Sequence, residues 1–382
     1  MKVAMAGQRV RRDRGRRALA RQVCRAGGLV LAALLGLAPP CAATARADTT
    51  PPPAGGPPAT VNLQIVGGLA GVTQYTNYEQ PFWEKEITER SGGRIKATIR
   101  PLDAGGLRAE ETLQLMRLGV VPFGSASLSR VSSDDPELNA FDLPVLNPDM
   151  GTLRRTVGAT RQHLTDYLLQ RYDIVLLAVY AYPAQVIFCT KPFSGLDDLA
   201  GRKVRTSSVG QAELMAGLGA VPVLLPFAEI VRALKSGVAE CAITGTLSGY
   251  EIGLPGIATH VHSMAISWGL SFFGANRAAW DAIPPDLQEV IRTGVADLER
   301  RVWIQADTDT QRGLACNSGG ATCGETIGEM TLVPTSPKDA ARRERLLQEV
   351  VIPRWILRCG PSCASAWNTY LAPVHGIHAD RE

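Results

Sequence analysis

The groups in this chain best suited to chemistry are those that hold an acid, not those that break bonds. Arg205 ends the short basic strand Lys203-Val-Arg-Thr206, and the segment Gly237 to Thr244 runs out into a small polar loop of Thr244, Gly245, Thr246 and Ser248. A guanidinium at one strand end, facing hydroxyls and glycine at another, suits a small carboxylate. Its paired N–H donors match two carboxylate oxygens, which an ammonium cannot imitate. The other reading of Arg205 is an ion pair with a nearby aspartate. The loop after a strand's C-terminal end is where α/β crevices gather ligand groups. That context holds Gln74 and Tyr75 after the first strand, and Ser125 and Ser127 beyond Phe123. Tyr182, Gln185 and Trp268 are candidate walls, the indole suiting an aromatic ligand; each of these also has a plain reading as a packed ring or a satisfied polar group.

Other constellations carry less. No Gly-x-Ser-x-Gly, His-Glu-x-x-His or phosphate-cradling loop occurs, and Gly67-Gly-Leu-Ala-Gly71 lacks the full dinucleotide pattern. An exported hydrolase would need a nucleophile with its base, and none is legible. Asp134-Asp135 and Asp197-Asp198 read as solvated turns, and His260 and His262 as surface histidines. Cys359, Cys363, His375 and His378 imitate a zinc site, but a short disulfide in an exported chain is the stronger reading. Neither metal nor cofactor is expected.

The elements that must position these residues alternate strand and helix, the signature of α/β. Strands are expected at 61–65, 95–99, 120–123, 174–180, 203–206, 219–225 and 237–244. Helices are expected from about Glu79 to Gly92-Gly93, and over 109–118, 151–171, 211–217 and 227–236. A further helix from Pro284-Pro285-Asp286 sets Leu287, Val290, Ile291, Leu298 and Val302 on one face to bury.

The first 47 residues read as an export leader. Eight arginines between Arg9 and Arg25 precede the apolar run Gly27 to Ala38, and Ala45-Arg-Ala47 offers small residues for cleavage. Arg16-Arg17 suggests twin-arginine export, which Ala18-Leu19 supports poorly. The leader holds 10 of the 40 basic and 1 of the 36 acidic residues, so the remainder has 30 and 35, a net of −5. That balance offers no footprint for nucleic acid. Residues 48–60, with five prolines and two glycines, read as a tether. Two of the eight cysteines fall in the leader; spacing then suggests Cys316 with Cys323 and Cys359 with Cys363, leaving Cys189 for Cys241.

Several segments in order resemble the periplasmic substrate-binding proteins of tripartite ATP-independent periplasmic (TRAP) transporters. They are Ser91-Gly-Gly-Arg-Ile-Lys96, Ala109 to Leu118, Val120 to Ser127, Leu199 to Arg205, Leu218-Gly-Ala-Val-Pro222, Glu229 to Leu234, Gly237 to Thr244, Asn276 to Trp280 and Ile283-Pro-Pro-Asp-Leu-Gln288. The resemblance covers roughly residues 61–310. It implies a two-lobed periplasmic binding protein fold, with a hinge of crossing strands near 180–185 and 266–273 and a long helix spanning both lobes. Lobe I is expected at 61–182 plus about 270–300, lobe II at 183–269 plus about 301–370, and a tail at 371–382. It further implies a periplasmic, monomeric receptor that does no covalent chemistry. Arg205 would anchor an organic acid, and the partners would be the small and large integral-membrane subunits of the transporter; a sensory receptor domain would share the fold. Where many relatives carry an amide, this chain has Thr244-Gly245-Thr246. Sialate-binding members add a basic residue on the strand before Arg205, whereas here stand Gln185 and Val186, which counts against sialate.

Overall fold

A computed structural model describes residues 59–105, 107–320, 323 and 328–379. The leader, and all but the last two residues of the tether, lie outside them. Eleven strands form two sheets among the described residues. The first holds β1 (Val61–Val66), β2 (Ile95–Arg100), β3 (Phe123–Ser127), β4 (Ile174–Tyr180) and a late strand, β10 (Ser271–Asn276). Its order is β2-β1-β3-β10-β4, parallel across β2, β1 and β3, with β10 antiparallel to both neighbours. The second holds β5 (Gln185–Cys189), β6 (Lys203–Thr206), β7 (Val221–Leu224), β8 (Cys241–Gly245), β9 (His260–His262) and β11 (Thr331–Val333), in the order β11-β9-β5-β8-β6-β7. The fold is two-lobed α/β.

Helices bury the faces of both sheets. Phe82, Trp83 and Ile87 from residues 73–90 pack on the first sheet beside Leu63, Ile95 and Phe273. This helix starts earlier than its sequence suggests and contains two wide turns, Tyr75–Glu79 and Phe82–Glu86. Pro81 lies between them; it has no N–H to donate, and the helix widens instead of breaking. The helix after β2 is instead shorter than expected, Thr112–Arg117, and Gly119 at φ 72° turns the chain so that β3 begins only at Phe123. On the opposite face lies the helix Met150–Tyr172, capped by the Asp149 carboxylate accepting from Thr152 N at 2.7 Å.

The chain crosses between sheets through 181–184 and returns through 263–270. The two crossings pair as an antiparallel ribbon: Tyr182 N donates to Trp268 O (3.1 Å), Gln185 N to Ser267 O (2.7 Å) and Ile266 N to Gln185 O (2.8 Å). Buried Asp142 fastens the return, its carboxylate accepting from the backbone of Trp268 (2.9 Å) and Leu270 (3.1 Å).

The third connection is the helix Pro285–Ser318, 34 residues and about 51 Å long at 1.5 Å per residue. Its first half buries Leu287, Ile291, Val295 and Leu298 against the first sheet. Farther along, Gly313 meets the backbone of the helix Thr246–Glu251, where an added Cβ would come within 2.2 Å of Leu247 N. The C-terminal helices touch both lobes: Trp355 Nε1 donates to Pro136 O (2.7 Å), while Arg358 pairs with Glu213 (2.9 Å). Disulfides join Cys189 to Cys241 on paired strands, Cys316 to Cys323 and Cys359 to Cys363. Among the described residues no helix is long and apolar enough to cross a membrane.

Two expectations are corrected here. His262 is wholly buried, its Nδ1 accepting from Met264 N (3.0 Å); β9 is an inner strand between β5 and β11, so alternation carries this ring into the core. Asp135 is buried too, accepting from the hydroxyls of Tyr167 (2.7 Å) and Tyr172 (2.6 Å). Of the zinc-like set, Cys359 and Cys363 are oxidised to each other and His375 Nε2 lies 2.9 Å from the Thr156 hydroxyl.

Two substitutions test this architecture. Gly313→Ala should destabilise by at least about 1–3 kcal/mol in denaturant unfolding, since backbone blocks the methyl; unchanged stability would contradict the close approach. Burial pushes the Asp142 carboxyl up to about 7, although the backbone N–H groups of Trp268 and Leu270 oppose that shift. The folded protein therefore holds this proton more tightly than the unfolded chain. Its contribution is present below the ordinary aspartate value near 4 and is lost as pH rises through about 7. Melting temperature should fall more between about pH 5 and pH 8 in the parent than in Asp142→Asn; equal slopes would refute this.

Candidate functional site

Between the sheets lies a cavity of about 520 Å³, built largely from the ends of strands and the loops after them. Arg205 sits on β6, opposite Val223 of β7 and Ala242 of β8, and is 3% exposed. Two carbonyls fix its guanidinium: Nε donates to Leu225 O (3.0 Å) and Nη1 to Ile243 O (2.7 Å). Among the described residues no carboxylate pairs with it. Burial first, and the charge of Arg130 second, press its pKa down to about 9, so it remains a cation at neutral pH without a counter-charge.

Around it the cavity collects Thr244 and Gly245 at the end of β8, with Ser248 just beyond. Gln185 stands opposite Gly245 on the paired strand β5. Its Oε1 accepts from Gln211 Nε2 (2.6 Å) and from the Ser267 hydroxyl (2.9 Å). Tyr182 lines the wall from the first crossing. The other side supplies Ser125 and Ser127 from β3, with Ser271 opposite Ser127 on β10. The hydroxyls of Ser125 and Ser271 are buried without a hydrogen-bond partner. Gly67 and Gly68 bring backbone to the cavity edge, where a Cβ on Gly68 would lie 2.6 Å from the Tyr182 hydroxyl.

Four other expected residues stand behind this surface. Tyr75 is buried against the first sheet, its hydroxyl 3.5 Å from Ile99 O. Gln74 donates to the buried Glu79 carboxylate (2.7 Å), which also accepts from Gly68 N (2.8 Å). Thr246 is buried under the long helix, its hydroxyl donating to Asp309 O (3.2 Å). Trp268 points its indole N–H to Asn147 O (2.9 Å), in the core.

The structure adds residues that sequence reasoning passed over. Arg130, on the short helix Leu128–Val131 after β3, reaches the cavity, ion-pairs with Glu110 and donates from Nη1 to Ser207 O (2.7 Å) across the cleft. The rule that pointed to Ser125 and Ser127 extends three residues farther to Arg130; nothing local marks Glu110. Phe227 and Leu102 add apolar wall.

The family model for bacterial extracellular solute-binding protein, family 7, matches residues 71–318, more than half of the chain and all of the cavity's walls except Gly67, Gly68 and Leu69. The chain belongs to this family. Its relatives include a C4-dicarboxylate-binding periplasmic protein of Rhodobacter capsulatus, 25% identical over 78% of this chain and 80% of that one. Among solved structures, an extracytoplasmic solute receptor of Bordetella pertussis binding pyroglutamic acid superposes with a TM-score of 0.71 at 21% identity, covering 81% of this chain and 99% of that one. A TRAP periplasmic solute-binding protein of Shewanella oneidensis with bound succinate gives 0.66 at 20% identity, covering 81% and 98%. At these identities the superpositions show the fold. The named relatives are solute-binding receptors, and the Rhodobacter protein is periplasmic.

The Glu79 carboxylate, pushed up to about 6 by burial, holds the Gly67-Gly68 edge of the cavity in shape. Glu79→Ala would strand the Gly68 N–H and the Gln74 amide. It should cost about 1–3 kcal/mol in denaturant unfolding; a variant as stable as the parent would show that this buried carboxylate supports nothing.

Proposed function

We propose that the protein is an exported periplasmic receptor that captures a small organic acid by its carboxylate on Arg205 and delivers it to the membrane subunits of a TRAP transporter. The observation that carries this reading is a buried, unpaired guanidinium walled into a cavity between two lobes. Such a cation stays costly until an anion neutralises it, and a carboxylate gives both charge and two acceptors. Membership of family 7 supports the receptor reading, as do relatives described as binding dicarboxylate or pyroglutamic acid.

Arg205 anchors the carboxylate. Thr244, Gly245, Ser248, Gln185, Tyr182, Ser125 and Ser127 contact the rest of the ligand, while Gln74, Tyr75, Thr246 and Trp268 support the walls. Lobe I comprises 61–182 with about 270–300, and lobe II 183–269 with about 301–370. The 181–184 and 263–270 ribbon is the hinge on which they close. The leader is removed near Ala47, the mature receptor works as a monomer, and it does no covalent chemistry.

The test is a thermal-shift screen of the mature, oxidised protein against small carboxylic acids, followed by titration calorimetry of each hit. Arg205→Ala should weaken binding by about 2–5 kcal/mol, the cost of removing one partner of a buried charged contact, with the fold intact by circular dichroism. Arg205→Lys should recover little, because an ammonium cannot present two parallel donors. Parent-like affinity in Arg205→Ala would reject the anchoring role.

A further inference from the structure

Among the described residues five charged ones line the cavity: Asp103, Arg108, Glu110, Arg130 and Arg205. Asp103 and Arg108 stand exposed at the mouth. There Arg108 pairs with Glu111, and Asp103 accepts from Ala70 N (2.9 Å). Farther in, Arg130 has a side chain only 19% exposed, and it is already neutralised by Glu110 and tied to Ser207 O. Arg205 alone has no anionic partner among the described residues, so the inner cavity carries one uncompensated positive charge.

We infer that the cavity selects a monocarboxylate whose remaining polar groups are neutral, and that Glu110 sets this limit by occupying Arg130. The inference rests on the carboxylate reading above. A second carboxylate would have to displace Glu110 from Arg130, or sit desolvated with no cation, and either outcome opposes binding. The rest of the wall presents uncharged partners. The Ser125 and Ser271 hydroxyls are buried and unpaired, and Ser125 approaches from the lobe opposite Arg205. Gln185 is pinned through its Oε1 by Gln211 and Ser267, while Gln211 Oε1 accepts in turn from Ser207 N (2.9 Å). That pinning leaves the Gln185 amide nitrogen beside Gly269, a cavity residue whose added Cβ would lie 2.8 Å away. An amide donor and two hydroxyls fit an oxo, hydroxyl or amide group on the ligand. Discrimination of this kind works by leaving the wrong ligand's charge unpaired. It separates this chain from the dicarboxylate binding named for its Rhodobacter relative.

The experiment is calorimetry with probes that share a carbon skeleton and differ by one charge: succinate against succinamate, and glutarate against glutaramate and pyroglutamate, within a panel of mono- and dicarboxylic acids. The parent should bind the singly charged member of a pair at least about ten-fold tighter, which corresponds to about 1.4 kcal/mol. Glu110→Gln, which frees Arg130, should reduce or reverse that preference by gaining affinity for the dicarboxylate. Dicarboxylates bound by the parent as tightly as their half-amides, or a preference unchanged in Glu110→Gln, would overturn the inference. If dicarboxylates win but Arg205→Ala still abolishes binding, the anchoring role stands and only the charge limit falls. If no acid in the panel binds the parent, the carboxylate reading falls and takes this inference with it.

Discussion

A guanidinium buried between strands, held by two carbonyls and, among the described residues, by no carboxylate, is the constraint on which the rest of this structure depends. Carbonyl acceptors fix its direction but do not cancel its charge, so the site keeps a strong preference for an anion. Its neighbours keep that preference sharp. Arg130, the other cation in the inner cavity, is committed to Glu110, and the remaining groups are hydroxyls, amides and apolar side chains. Among the described residues one cation of the inner cavity lacks a counter-charge, in a cavity sized for a small molecule.

The scaffold places that cation between two sheets joined through a few connections. The paired crossings at 181–184 and 263–270 hydrogen-bond to each other, and Asp142 fixes the second by taking its backbone N–H groups. Gln185 belongs to this ribbon and also lines the cavity, so one residue joins the crossing strands to the cavity wall. The Arg130 bond to Ser207 O ties the two sides further, and the C-terminal helices reach both, Trp355 bonding Pro136 O and Arg358 pairing with Glu213. Along the back, the long helix packs on both lobes, and Gly313 is small because the Thr246–Glu251 helix leaves no room for a side chain.

Much of this was legible because strand and helix periodicities are local properties. The strand Ile174 to Tyr180 and the buried face of the long helix follow from spacing alone, and Arg205, Thr244 and Gly245 stand at strand ends where crevices form. What spacing could not give was direction in three dimensions. Trp268 lies in the return crossing and Tyr75 in the first turns of a helix, and packing turns both rings into the core. His262 and Asp135 look like surface groups until β9 becomes an inner strand and two tyrosines converge on one carboxylate. Arg130 and Glu110 come from separate short segments, and their pairing is a tertiary fact with no mark in either. Pro81 shows the reverse case, a local rule that predicts a break and meets a helix able to widen around it.

The central claim is that a ligand carboxylate completes Arg205. The most direct measurement is a crystal structure of the mature protein with its tightest-binding ligand, either retained through purification from the periplasm or added from the screen. The account predicts a carboxylate with both oxygens within about 3 Å of the Arg205 guanidinium, in the cavity between the lobes. A bound ligand that leaves Arg205 without an anionic or acceptor partner, or that occupies a different part of the molecule, would contradict it.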